Sequence, residues 1–260
     1  MRAVPAGLSA ALSVLTLTLL AAPLGAQFRD RCSHERELAN NVAVSADALA
    51  RIEAGAGSLT VRGVAGLREA RVRGSACATT AALLDQVSIA VVREGSGVRI
   101  RTLFPERTLR NEQARIDLVI EVPAGMDAEI QDGSGSMEIS GLGRVHIDDG
   151  SGDITVRDTR GALTIDDGSG DITLADIGGA ITIDDGSGSI DIRGAGGNVE
   201  IEDGSGGITI RDVHGSVRIA DSSGSIDVRV VRGDFMVSRN GSGSISHRDI
   251  AGRVELPRKR

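Results

Sequence analysis

Carboxylates recur on a fixed period through the second half of the chain. Asp132, Asp149, Asp167, Asp185, Asp203, Asp221 and Asn240 each open a variant of Asp-Gly-Ser-Gly, at steps of 17, 18, 18, 18, 18 and 19 residues. Acidic residues repeating beside glycine are the chemistry of exported calcium-binding β-rolls, whose motif reads Gly-Gly-x-Gly-x-Asp at half this period. Here one turn per coil reads Gly-Ser-Gly-Asp or Gly-Ser-Gly-Ser, so a calcium site would have to draw on Asp149, Asp153, Asp167 and Asp171. Two carboxylates about 4.8 Å apart repel by about 0.9 kcal/mol at the dielectric of water and about 3.5 kcal/mol at an effective value of 20. Exposed stacks therefore need no cation, whereas half-buried ones need N–H donors or a metal. The opening Asp has inward parity and sits beside a bend, where it is expected to accept backbone N–H bonds as an Asx turn, with Asn240 doing so through its side-chain oxygen. That arrangement requires no metal, and the expected catalytic, cofactor and metal residues are none.

Other chemistry finds less support. The turn serines, Ser134 to Ser242, have no Gly-x-Ser-x-Gly elbow and no neighbouring His. His34, His146, His214 and His247 have no metal-ligand spacing. Turns this short cannot wall the groove of a polysaccharide-cleaving β-helix, and the aromatic platforms of a sugar site are missing. Thr155, Thr173 and Thr209 form a column of the ice-binding kind, but Asp191 and Asp227 interrupt it. Arg157, Arg193, Arg211, Arg229 and Arg248 are placed to line one face, and Asp148, Asp166, Asp184 and Glu202 the other. Such stripes serve either as solvated, edge-protecting charge or as a surface that recognises a charged polymer or envelope component.

The elements that carry these residues follow from the period. Eighteen residues is too short for paired-helix repeats or propeller blades and matches one coil of a β-solenoid. Between Gly152 and Gly170, Ile154 and Val156 alternate with Thr155 and Arg157, and Leu163 and Ile165 alternate with Thr164 and Asp166. Each coil thus holds two short strands and four inward slots, which later coils refill as far as Ile226, Val228, Phe235 and Val237. The expected fold is all-β, a single-stranded parallel β-solenoid of about 18 residues per coil with two narrow sheets. Val, Ile and 35 Gly, with no Trp, no Tyr and 3 Phe, suit its thin aliphatic core. In the turn, the second Gly and the Ser never vary, so this Gly is expected to hold a conformation other residues avoid, while the Ser column bonds along the stack. In the looser second turn only the final Gly is constant, and Ile177, Val213, Val231 and Ile250 plug the corner. Upstream, Ile52 to Val64 fits the coil template with Ala54 in the Asp slot. Val87 to Ile100 reads as a hairpin or longer coil about Glu94-Gly95-Ser96-Gly97, and Ile116 to Val122 as a strand stopped by Pro123.

Residues 1–26 read as a signal peptide: Arg2, an apolar stretch from Leu8 to Ala22, and cleavage expected after Ala26. No later segment is apolar enough to span a membrane. The expected location is exported, either periplasmic or extracellular at the cell surface. Residues 27–129 form degenerate coils and a cap, with an insertion at 103–113 that is either a solvated excursion or a docking loop. Regular repeats occupy 130–256 and a basic tail 257–260. The whole chain carries a formal charge of −7, which becomes −8 once Arg2 leaves with the signal, and no nucleic-acid partner is expected. Cys32 and Cys77 are an even pair in an exported chain and are expected to bridge, pinning the N-terminal end. Pro257 and the terminal charges guard the last edge against stacking by a second molecule, so a monomer is expected.

The run from Ile116 to Gly125, Ile-Asp-Leu-Val-Ile-Glu-Val-Pro-Ala-Gly, followed by Gly-Ser-Gly coils, resembles the adhesin-like family of exported or envelope-associated bacterial proteins of unknown function. The resemblance covers roughly residues 45 to 256 and implies architecture and surface contact, with no catalytic residues to carry over. The resulting expectation is a non-enzymatic binding or structural module at the cell envelope, its partner an unidentified envelope protein or polymer. The alternatives are a calcium-stabilised secreted β-roll-like protein and, more remotely, a polysaccharide-active β-helix.

Overall fold

Alternating β-branched residues, interrupted every few positions by glycine, leave the chain little choice but short strands joined by tight turns. A computed structural model describes residues 32–105 and 112–258, all within one compact unit, Arg31–Arg260. Residues 1–31, which include the expected signal peptide, residues 106–111 of the insertion, and Lys259 and Arg260 lie outside the described residues. The first elements are β1 (His34–Ala43), β2 (Leu49–Glu53), β3 (Leu59–Val64), β4 (Glu69–Ala78), the short helix α1 (Ala81–Leu84), β5 (Ser88–Glu94), β6 (Gly97–Leu103) and β7 (Ala114–Pro123). The coils continue with β8 (Asp127–Asp132), β9 (Met137–Ser140), β10 (Val145–Asp149), β11 (Ile154–Thr159), β12 (Leu163–Asp167), β13 (Ile172–Ile177), β14 (Ile181–Asp185) and β15 (Ile190–Ala195). They end with β16 (Val199–Asp203), β17 (Ile208–Val213), β18 (Val217–Asp221), β19 (Ile226–Val231), β20 (Phe235–Asn240), β21 (Ile245–Ile250) and β22 (Val254–Glu255).

Two 11-stranded sheets face each other. From β8 onward, even-numbered strands stack in one sheet (sheet B) and odd-numbered strands in the other (sheet A), each pairing in parallel with its copy in the next coil. Like sits over like: Ile154 on Ile172, Ile190 on Ile208, Ile165 on Ile183. The four inward columns are almost fully buried, and the corner plugs Ile177, Val213 and Val231 are each 1% exposed, while Ile250 in the last coil is half-buried. A one-residue slip would turn a whole set of these side chains to water, which pins the register.

The N-terminal end is not wound in chain order. Strand β2 pairs with β8 on one side and β6 on the other, and β3 pairs with both β9 and β7. The first coil therefore lies between the β6–β7 coil and the β8–β9 coil, both formed later in the sequence. Ala50, Ile52, Leu59 and Val61 fill its four inward slots, so it needs a neighbouring coil above and below. Beyond it the pattern turns antiparallel: β4 runs against β7, β1 against β4, and β5 against β6 as a hairpin. Thr80 caps α1 by accepting the Leu83 N–H at 3.2 Å, and Leu83 and Leu84 are buried. The Cys32–Cys77 disulfide ties the segment before β1 to the end of β4, with Cα atoms 5.5 Å apart. Phe104, at the start of the insertion, packs against the core above Gly55.

Candidate functional site

Three columns of chemistry-bearing side chains run along the stack, one inside and two outside. The inner one is the turn aspartates. Asp132, Asp149, Asp167, Asp185, Asp203 and Asp221 stack in register along sheet B and are 0–7% exposed. Their turn is shaped by the second Gly, whose column is one member longer than the repeats alone suggest, because Gly57 of the first coil joins it. At Gly188 φ is +150°, and a Cβ there would lie 1.7 Å from the Gly170 carbonyl oxygen of the preceding coil, so both conformation and close approach demand glycine. The bonds along the stack at this turn run through backbone, Gly N–H to Ser carbonyl, as in Gly152 to Ser169 at 2.9 Å, and not through the Ser hydroxyls.

The expected Asx bond forms at half of these positions. Ser169, Ser187 and Ser223 donate their N–H groups to Oδ1 of Asp167, Asp185 and Asp221 at 3.1, 3.1 and 2.8 Å. Both carboxyl oxygens of Asp132, Asp149 and Asp203 have no hydrogen-bond partner, and neither does Asn240 Oδ1. Asn240 thus departs from its expected role; the pairing of β18 with β20 shifts register between Ile219 and Ala220, where the longer 19-residue step adds a residue. Burial raises every carboxyl of the column. It pushes Asp132 to about 6, and, with the charges of Asp132 and Asp167 added, Asp149 to about 6. Asp185 rises to about 7 through burial and then the charges of Asp203 and Asp167, and Asp203 to about 6 through burial and then Asp221. Asp167 and Asp221 are raised by burial as well.

The four calcium candidates do not converge. Asp149 and Asp167 point into the core, while Asp153 and Asp171 lie outside the turn, where Asp153 accepts the Asp171 N–H at 3.2 Å and Asp171 accepts the Ser189 N–H at 2.9 Å. Among the described residues no group of three or more His, Cys, Asp or Glu side chains is placed to hold a metal ion.

Outside, the sequence assigned the two faces as they are found. On sheet A, Arg193, Arg211, Arg229 and Arg248 stack in register; Ala175 separates them from Arg157. Arg157 pairs with Glu138 and Arg229 with Asp227, whereas Arg193 and Arg211 have no ion pair among the described residues. On sheet B, Asp148, Asp166, Asp184 and Glu202 stack in register and are exposed. An open groove of about 420 Å³ on the arginine side is lined by Arg211, Asp212, Arg229, Val230, Arg248 and Asp249.

Sequence reasoning missed the backbone of this groove. The residue after each arginine position is left-handed: Asp158, Asp176, Asp212 and Asp249 have φ between 55° and 61°. Asp tolerates that region, which explains its recurrence there. Val230 takes the same slot at φ 57° with 44% of its surface exposed, a β-branched side chain in the region it least favours. The signal was readable: Val230 breaks a column otherwise held by Asp and Gly194.

The family model described as Toastrack DUF4097 matches residues 110–256. Among solved structures, a protein of Parabacteroides distasonis ATCC 8503, provisionally named a lipid binding protein, has a TM-score of 0.50 at 16% identity, covering 85% of this chain and 97% of its own. A provisionally named adhesin from Bacteroides fragilis NCTC 9343 has a TM-score of 0.36 at 14% identity, covering 85% and 97%. A provisionally named cell adhesion protein from Clostridium sporogenes ATCC 15579 has a TM-score of 0.30 at 14% identity, covering 86% and 100%. No curated protein matches the chain. At 16% identity the likeness to the Parabacteroides distasonis protein speaks to the fold alone.

Proposed function

The chain belongs to the Toastrack DUF4097 family, and on that footing we propose that it is a non-enzymatic, adhesin-like binding module, exported to the cell envelope, that docks a partner along the outer face of sheet A. The observation that carries this reading is the in-register arginine column, two of whose members have no ion pair among the described residues, running into a groove beside an exposed, left-handed Val230. Strain of this kind persists where the surrounding structure holds it, and it clusters at binding surfaces. Asp191, Asp227, Asp212 and Asp249 flank the arginines, so the face is strongly charged yet close to balanced. It suits an envelope protein or polymer carrying both signs better than a uniform polyanion.

The test is co-sedimentation of the purified chain with an envelope fraction at several salt concentrations. Changing Arg193, Arg211, Arg229 and Arg248 together to Gln should abolish salt-sensitive binding, while changing Asp148, Asp166 and Asp184 to Asn on the opposite face should leave it. Equal binding by both variants would remove sheet A from the reading. Export is checked by N-terminal sequencing of the protein recovered outside the cytoplasm, with Gln27 the expected first residue; recovery of an uncleaved cytoplasmic chain overturns it. Release of reducing sugar from acidic polysaccharides, lost on mutation of the outward carboxylates, would overturn the non-enzymatic assignment. The disulfide is compatible with an oxidising compartment, and among the described residues no helix is long and apolar enough to cross a membrane.

A further inference from the structure

The buried aspartate column has too few donors for its oxygens. Six carboxyl groups have twelve oxygens between them, three of which accept a turn amide at hydrogen-bond distance, from Ser169, Ser187 and Ser223. Asp132, Asp149 and Asp203 have both oxygens unpartnered while being 7%, 3% and 2% exposed. The turn amides of Gly133 at Asp132, of Ser151 and Gly150 at Asp149, and of Ser205 and Gly204 at Asp203 pull their carboxyls down without reaching hydrogen-bond geometry, so they offset only part of the desolvation penalty of an ionised carboxylate, and burial wins at all three. Protonation removes the charge and supplies a donor that the site otherwise lacks.

The charged groups bearing on the column are few and mostly of the wrong sign to help. Beyond its own members, Asp166 acts on Asp167 and Asp184 acts on Asp185, both raising, and Arg239 at the far end lowers Asp221. Opposite, the inward side chains of sheet A, such as Ile172 and Ile190, are apolar, and Ala54 occupies the slot beyond Asp132. Among the described residues no cation acts on the column between Asp132 and Asp203. The seventh repeat carries Asn240, a neutral isostere of the protonated acid, which removes the charge at that position although its Oδ1 is still unpartnered.

We propose that the aspartate column is a proton-binding spine: folding loads its carboxyls with protons from the medium, so the regular coils are tightest in mildly acidic surroundings and loosen as the pH rises through neutrality. The direction follows from linkage. A carboxyl whose folded value lies above its unfolded one gives stability that is complete below the unfolded value and lost as the pH climbs through the folded one. With folded values of about 6 to 7 for Asp132, Asp149, Asp185 and Asp203, that window runs from about pH 4 to about pH 8. At pH 5.5 folding then takes up on the order of three protons in these four residues.

Thermal unfolding of the disulfide-intact chain between pH 5.5 and pH 8 tests this, at 0.1 M and 0.5 M salt. The Tm should be more than about 5 °C higher at pH 5.5, and high salt should leave the difference in place, because a buried column is poorly screened. General repulsion among the acidic surface groups would also favour low pH, but added salt would erase it. Asp185→Asn should raise the Tm at pH 8 and shrink the pH difference; Asp184→Asn, on the exposed neighbour, should keep it. A Tm that is flat or rises toward pH 8, a difference abolished by salt, or an Asp185→Asn chain destabilised equally at both pH values overturns the proposal. Should that variant fail to fold, infrared spectra of the unmodified chain decide: a protonated-carboxyl band persisting at pH 6 is expected, and its absence overturns the spine.

Discussion

The regular coils from β8 to β20 and the N-terminal end built by β1, α1 and β4 to β7 treat their carboxylates in opposite ways. In the coils a column of aspartates is folded inward and raised by burial. At the N-terminal end and on the first coil that it covers, acids face outward among arginines: Arg51 meets Glu94 at 3.2 Å, and Arg99 meets Glu94 at 2.7 Å and Glu53 at 3.3 Å. There the hydrogen bond and charge of Arg99, followed by those of Arg51, hold Glu94 below the usual carboxylate range despite some burial. Asp117 is pulled up by burial, yet the Ser58 N–H and hydroxyl at 2.9 Å and the nearby Arg115 outweigh it and keep it low. A repeat can satisfy its backbone by stacking alone, so it tolerates a costly inner column; an end has no next coil and is closed by a disulfide, a helix and ion pairs instead.

Four experiments press on that contrast, beginning with the harshest. Gly188→Ala in the coils should cost more than about 4 kcal/mol in chemical denaturation or prevent folding, since backbone, not a flexible side chain, blocks the Cβ. Gly66→Ala in the N-terminal region, where φ is +77° and nothing lies within 4 Å of a Cβ, should cost only about 1 kcal/mol. Comparable losses at the two sites would deny the stacked turn its special role. Next, replacing Cys32 and Cys77 by Ser should remove about 4 kcal/mol on the chain-entropy account of a closed loop this long, with faster hydrogen exchange in β1 and β4 and little change in β12 to β18. Exchange that rises evenly through the stack would mean that the bridge supports the coils too.

A third test is the sign of the pH response by region. Acidification from pH 7 to 5 should raise protection against exchange in the coils, once the intrinsic fall of amide exchange with pH is divided out. Below pH 4 the N-terminal end should loosen, because Glu94 and Asp117, with folded values below their unfolded ones, lose their stabilising charge as the pH falls through those folded values. A common sign in both regions would erase the contrast. The smallest effect belongs to Val230: changing it to Asn should gain about 1 kcal/mol by relieving the left-handed backbone. If envelope binding weakens while stability rises, the strain serves the groove.

Most of the stack was legible because its physics is local and repeated. The four inward slots, the fixed second Gly, the corner plugs and the two charged faces follow from strand alternation and an eighteen-residue period. What escaped was non-local. Nothing in Leu49 to Val64 says that this coil will be clasped between two that are made later, since parallel pairing partners are chosen by packing and not by adjacency. The left-handed slot at Asp158 and its successors was hidden for another reason: Asp is common in turns of every kind, and only the observed φ separates one role from another.

By itself, then, the sequence determined the coil, because period, parity and glycine placement act on a few neighbouring residues at a time. Only the tertiary structure decided the order of the first coils and the state of the aspartates. How many N–H donors reach a buried carboxyl depends on how neighbouring turns settle against each other, and in this column too few arrive.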